Sequence, residues 1–128
     1  MNDIQIETKN SPWYEDEKWH WYVKNTVSLR YKFDNLEVAT GDRIEVHFYD
    51  RKGAEVLSYT YNNLEQQTDP VSGTKFVQII IDIDEVDSEK LIRGDYVFCI
   101  TYYGKDENGE ENIKTICANQ NVEVLSCH

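Results

Sequence analysis

Cysteine is scarce in this chain. Cys99, Cys117 and Cys127 are all there is. An odd, small number of cysteines excludes the disulfide framework of a small secreted scaffold, and no pair has zinc-site spacing. Long apolar runs are missing too. No stretch approaches the roughly 18 residues that a spanning helix needs, so no transmembrane segment is expected. The opening Met1-Asn2-Asp3-Ile4-Gln5 lacks a basic region and an apolar core, so no signal peptide is read there. Basic residues are few, with 13 against 24 acidic ones and a formal charge of −11. Such a surface repels phosphate backbones and argues against a nucleic-acid partner. There is no Gly-x-Ser-x-Gly elbow and no phosphate loop. The three histidines, His20, His47 and His128, stand too far apart for a metal-binding pair on one helix face. A nucleophilic Cys99 or Cys127 would need a base, and nothing in the sequence nominates one.

What the chain does have is strands. The stretch Leu91 to Tyr103 reads as the piece the others pack around. Tyr96, Phe98, Ile100 and Tyr102 share one strand face, and Val97, Cys99, Thr101 and Tyr103 share the other. Both faces are fairly apolar, which suits a central strand. Upstream, Asp87 or Ser88 is expected to cap a single helical turn near 87–92, ended by Gly94. A tyrosine two residues after that glycine suggests a tyrosine corner, in which the phenol bonds back to upstream backbone. Cys99 follows Tyr96 by three rather than two, so it points away from that tyrosine and no antibody-type disulfide is expected. Cys99 and Cys117 lie symmetrically about Asn108; a bond across a hairpin and two reduced thiols both remain open.

Elsewhere alternation is equally plain. Ile4 to Glu7 reads as a short edge strand. Val27, Leu29, Tyr31 and Phe33 face inward on one strand; Ile44, Val46 and Phe48 do so on the next. Asp50-Arg51-Lys52-Gly53 reads as a hairpin turn, and Leu57, Tyr59 and Tyr61 share a face of the return. Asn62 to Thr74 reads as a loop crossing between sheets. Val77, Ile79, Ile81 and Ile83 line the most apolar strand. Lys105 to Glu110 is a second hairpin turn, Ile113 to Ala118 its return, and Val122 and Val124 mark a last strand. With no periodic helix, these elements predict an all-β, antiparallel sandwich of about seven to nine strands with Greek-key connections. It is expected to form a single domain over 1–128, with an aromatic-rich segment at 1–24 packed on it.

That segment holds the main candidate site. All three tryptophans fall between Trp13 and Trp21. Trp13, Tyr14, Trp19, His20, Trp21 and Tyr22 offer a partner surface or, with Glu15 and Asp16, a platform for stacking sugar rings. The competing reading is an aromatic plug closing one end of the core. Asp82 and Asp84 are weak metal candidates near a strand end, and Asp106-x-Asn108-Gly109 echoes a fragment of a calcium loop. Each also reads as a solvated turn. No metal or cofactor is expected, and no enzyme activity.

Two blocks carry a resemblance. One is Gly41 to Gly53, an I-x-V-x-F-x-D-x-x-G hairpin. The other runs from Ile79-Ile80-Ile81-Asp82-Ile83-Asp84 through Ser88-Glu89-Lys90-Leu91-Ile92-Arg93-Gly94-Asp95-Tyr96. Over about Val27 to Val124 the chain resembles the immunoglobulin-like β-sandwich domains of tailed-phage and prophage structural proteins, especially the N-terminal domain of baseplate upper proteins. The Trp13 to Tyr22 segment is extra to that pattern. The resemblance implies an immunoglobulin-like sandwich and a tail or baseplate component that docks through sheet edges and its aromatic end. Its partners would be proteins, or further copies of itself, with no catalytic residues to carry over. Its place would be the virion, or the bacterial cytoplasm before assembly. A carbohydrate-binding module using the aromatic segment, with a glycan as partner, is the alternative.

Overall fold

The structure is a computed structural model and describes residues 4–9 and 12–126. Ten strands and one helical turn follow one another: β1 (Ile4–Lys9), β2 (Trp13–Glu15), β3 (Lys18–Tyr22), β4 (Val27–Asp34), β5 (Arg43–Asp50), β6 (Glu55–Tyr61), β7 (Gln67–Thr68), β8 (Lys75–Ile83), α1 (Glu85–Ser88), β9 (Gly94–Lys105) and β10 (Glu111–Leu125). They form a smaller sheet in the order β1-β4-β8-β7 and a larger one in the order β2-β3-β10-β9-β5-β6. The alternation explains why two sheets must face each other. On β4, residues Val27, Leu29, Tyr31 and Phe33 are fully buried while their neighbours are half-buried. One apolar face per strand needs an apolar partner sheet to cover it.

Strand order gives the topology its type. β1-β4-β8-β7 matches the A-B-E-D sheet of the immunoglobulin fold, and β10-β9-β5 with β6 matches G-F-C with an added strand. The chain changes sheet between β4 and β5, between β6 and β7, and between β8 and β9, which are Greek-key crossings. The expected all-β, immunoglobulin-like sandwich is therefore the fold. One pairing departs from a purely antiparallel arrangement, because β3 runs parallel to β10. One strand exceeds the expected range: the two-residue β7, inside the crossing loop, pairs with the start of β8.

Two local expectations need correction. The helical turn lies earlier than expected, at Glu85–Ser88, and it ends with Glu89 as its C-cap rather than at Gly94, which opens β9. Asp84, extended at the end of β8, caps it by accepting the Asp87 N–H at 2.8 Å. Asp84 precedes Asp87 and already has strand geometry, so it takes the capping role first. Asp87 instead receives the Tyr59 hydroxyl at 2.9 Å. Secondly, the return after Lys105 is one fifteen-residue strand rather than two. Its register slips between Thr115 and Cys117 and again between Cys117 and Gln120. Bulges let a strand bend without ending, and Asn119 takes a left-handed conformation there, with φ 52°.

The tyrosine corner forms. The Tyr96 hydroxyl donates to the Ile92 carbonyl at 2.8 Å, across Gly94, whose φ of 148° favours glycine. Behind it lies one continuous core shared by both sheets, in which Trp21, Tyr31, Phe33, Phe48 and Phe98 are the largest fully buried side chains. No helix among the described residues is long and apolar enough to cross a membrane.

Candidate interaction face

The aromatic segment folds as a tight hairpin. Asp16 and Glu17 both have positive φ, 53° and 63°. This is the backbone of a two-residue primed turn, whose twist matches that of the flanking strands. Alternation then divides the six candidate residues. Trp19 and Trp21 point into the sandwich and are 5% and 1% exposed. They are core, and they cannot serve as a stacking platform. Strand β3 supplies them because it sits beside β10 in the larger sheet, facing the apolar side of β4 and β8. Tyr14 lies edge-on to Trp19, with ring centroids 5.1 Å apart, and is 58% exposed.

The other three candidates meet on the outer face of the larger sheet. Trp13 pairs with His20 across the hairpin, and their rings stack 5.3 Å apart at 12°. Tyr22 approaches Trp13 at 5.6 Å. His20 also sits opposite Glu123 of β10, with Nε2 3.4 Å from Oε1. Under the Trp13 ring His20 is buried, and its Nδ1 has no hydrogen-bond partner.

The same face continues across β9 and β5. His47 lies opposite Cys99, Tyr49 opposite Val97, and Arg43 opposite Tyr103. His47 is gripped from both sides: Nε2 is 2.9 Å from Glu45 Oε1, and Nδ1 contacts Glu55 Oε1. Burial acts against the imidazolium, but the bonds to Glu45 and Glu55 outweigh it and raise the His47 pKa above its ordinary value. Glu45 is held below the usual carboxylate range, first by the hydrogen bond from Arg43 Nε at 2.6 Å. Arg43 in turn covers the Tyr103 ring at 4.0 Å. In the sequence His47 stands out only as one of three well-separated histidines. A signal was there: Glu45 and His47 share a strand face at i, i+2, and Glu55 lies just past the hairpin turn.

This geometry bears on the cysteines. Cys99 and His47 are neighbours, but both ring nitrogens of His47 are occupied by carboxylates, so the ring has no free lone pair for a thiol proton. Cys117 is drawn inward by the β10 bulge, opposite Ile100 rather than Cys99. The two cysteines therefore occupy opposite faces of the sheet, and both are free. Burial pushes the Cys117 thiol up to about 11. Cys127 and His128 lie outside the described residues.

Asp82 and Asp84 do not converge on a site. Asp82 is exposed, and Asp84 uses Oδ1 as the helix cap. Among the described residues no three His, Cys, Asp or Glu side chains are grouped to hold a metal ion. In the second turn, Asp106 Oδ1 accepts the N–H groups of Asn108 and Glu110, each at 2.9 Å.

No protein-family model matches the chain, and no curated protein matches it. Among solved structures it is similar to the DNA-binding domain of Cep-1, the C. elegans ortholog of human p53. There the identity is 14% over 98% of this chain and 91% of that one, with a TM-score of 0.39. It is also similar to a bacterial adhesin from Mobiluncus mulieris containing intramolecular disulfide, isopeptide and ester bond cross-links, at 12% identity and a TM-score of 0.37. The match covers 95% of this chain and 57% of the adhesin chain. Likenesses this distant carry no argument about what the chain does.

Proposed function

We propose that this chain is a non-enzymatic docking domain that binds a protein partner through the outer face of its larger sheet. The carrying observation is an aromatic surface left partly open on that face. Tyr22 is 38% and Ile113 55% exposed, and Trp13, Tyr49 and Tyr103 are half-buried. Aromatic side chains are enriched at protein interfaces. The ions on the face suit this role. Arg43, Glu45, His47 and Glu55 already pair with one another, so covering them leaves no isolated charge to desolvate.

The resemblance of the Gly41–Gly53 and Ile79–Tyr96 blocks to phage sandwich domains supports a tail or baseplate component of a phage or prophage. Docking would then occur in the virion, or in the bacterial cytoplasm before assembly, with protein partners or self-association. A sugar-binding platform is disfavoured, since two of its three tryptophans lie in the core.

The test is a pair of face variants, Trp13→Asp and Tyr103→Asp, beside the wild type. Sedimentation velocity would read self-association, and co-purification with the structural proteins encoded alongside the chain would read partner capture. Association that both substitutions abolish, with unfolding temperature preserved, supports the reading. Association that neither substitution weakens removes this face from it. Saturable binding to cell-wall saccharides would favour the glycan alternative instead.

A further inference from the structure

We propose that a second site, at one end of the sandwich, binds a small amphipathic carboxylate. The β5–β6 turn and the loop that leads from α1 into β9 flank an open cleft of about 310 Å³. Four of the chain's 13 basic residues line it: Arg51, Lys52, Lys90 and Arg93. Its apolar lining comes from Val56, Ile92 and Tyr96, and Ile92 is 65% exposed. A chain with a formal charge of −11 thus gathers nearly a third of its cations around one apolar floor.

The counter-charges are few. Lys90 Nζ is 3.7 Å from Asp87. Of the two carboxylates in the lining, Asp50 turns inward to its own hairpin, where Oδ1 accepts the N–H groups of Lys52 and Ala54 at 2.9 and 3.0 Å. Asp95 is the other. Arg51, Lys52 and Arg93 remain to meet an anion.

The walls are preorganised. Asp50 and Gly53, with φ 84°, fix the turn. The Tyr96 hydroxyl pins the Ile92 carbonyl on the facing loop. Rigid walls reduce the ordering that binding must impose. The cavity sits at the small end of ligand sites. The protein's overall negative field disfavours a long polyanion. A short anion with an apolar body satisfies both limits, placing its head among the cations and its body on Ile92 and Val56. A neutral apolar molecule would leave the cations unused, and a bare anion would leave the floor wet. A second, larger cleft of about 540 Å³ also contains Lys75, Lys105 and Lys114. There Lys75 is paired with Glu37 at 3.5 Å, and the remaining walls are mostly amide, hydroxyl and backbone.

The test is an NMR titration of isotopically labelled full-length chain with four probes: hexanoate, N-acetyl-leucine, hexanol and inorganic phosphate. The two carboxylates should shift the methyl signals of Ile92 and Val56 and the amides of Arg93 and Gly94, saturably and less strongly in high salt. Lys52→Gln with Arg93→Gln, both at exposed turn positions, should weaken this binding about tenfold. Unchanged indole signals of Trp19 and Trp21 would certify the fold of that variant. Tighter binding of N-acetyl-leucine would assign the cleft to a peptide C-terminus, and tighter binding of hexanoate to a free acid. Equal shifts with hexanol, equal shifts with phosphate, or no shift with either carboxylate would each overturn the proposal. Asp95 of the lining borders the outer face, but the cleft contains none of the docking residues Trp13, Tyr22, Tyr49, Tyr103 and Ile113, so its failure leaves the docking reading standing.

Discussion

Folding changes the titration of His47. In an unfolded chain it would titrate near the ordinary histidine value of about 6.5. In the fold, Glu45 and Glu55 hold its proton and raise that value. A raised histidine pKa adds stability that is fully present below the unfolded value and is lost as pH rises through the folded one. Glu45 works in the opposite sense: its pKa is lowered, so its contribution is lost as pH falls through the acid range. The cluster therefore supports the fold best in mildly acidic solution. Urea midpoints measured across pH should decline toward alkaline pH in the wild type and decline less in His47→Gln. Parallel profiles for the two proteins would mean that the cluster does not report on folding. A second residue-level expectation concerns Tyr96→Phe, which deletes the bond to the Ile92 carbonyl and keeps the ring. It should cost about 1 kcal/mol in denaturant unfolding. An unchanged midpoint would show that the corner is only packing.

At the scale of elements, legibility followed periodicity. β4, β5 and β9 bury alternate residues, and β8 does so from Val77 onward; a period of two is visible in a bare sequence. The tyrosine corner was legible because its glycine and tyrosine are close in the chain. Features that depend on pairing were not. The β10 bulge shifts register by a residue at a time, and nothing in Ile113 to Val124 shows where the partner strand lies. The disposition of Cys117 was hidden for the same reason. Thiol alkylation under native conditions should label Cys99 first and leave Cys117 protected until unfolding, because Cys117 is buried and a thiol held near pKa 11 is rarely thiolate at neutral pH. Mass spectrometry of the labelled peptides would decide it, and equal labelling would contradict the bulged register. The hairpin of the candidate site was likewise concealed. Glu17 is an unusual residue for a turn with two positive φ values; aspartate is tolerated at the first position, but glycine is favoured at the second. Replacing them by Asn-Gly should raise the melting temperature by about 4 °C, by removing roughly 1 kcal/mol of backbone strain.

For the whole molecule, the decisive question is whether the first strands are ornament or structure. The sequence offers the 1–24 segment as packed on the sandwich, its aromatics either an open surface or a plug of the core. In the fold the segment contributes to both sheets: β1 pairs along β4, and β3 pairs along β10. Trp19 and Trp21 lie inside the common core with Tyr31 and Phe98. Removing residues 1–24 would expose the outer edges of β4 and β10 and empty the volume of two indoles. Losing one large buried aromatic costs about 3–5 kcal/mol, and a domain of this size has about 5–15 kcal/mol of stability in total. Two such losses, added to two unpaired edges, consume most or all of that margin. A chain starting at Asn25 should therefore lack a cooperative thermal transition and should aggregate through its bared strands. Single Trp21→Phe, by contrast, keeps a ring in place and should remain folded with a lowered melting temperature. If the truncated chain melted cooperatively near the wild-type temperature, the strands after Val27 would be a complete sandwich, and the N-terminal hairpin would be free to serve as a detachable docking arm. Loss of the transition would make the outer aromatics Trp13 and Tyr22 the exposed side of a core element. A docking face held by the core in this way is rigid before any partner arrives, which lowers the ordering cost of binding.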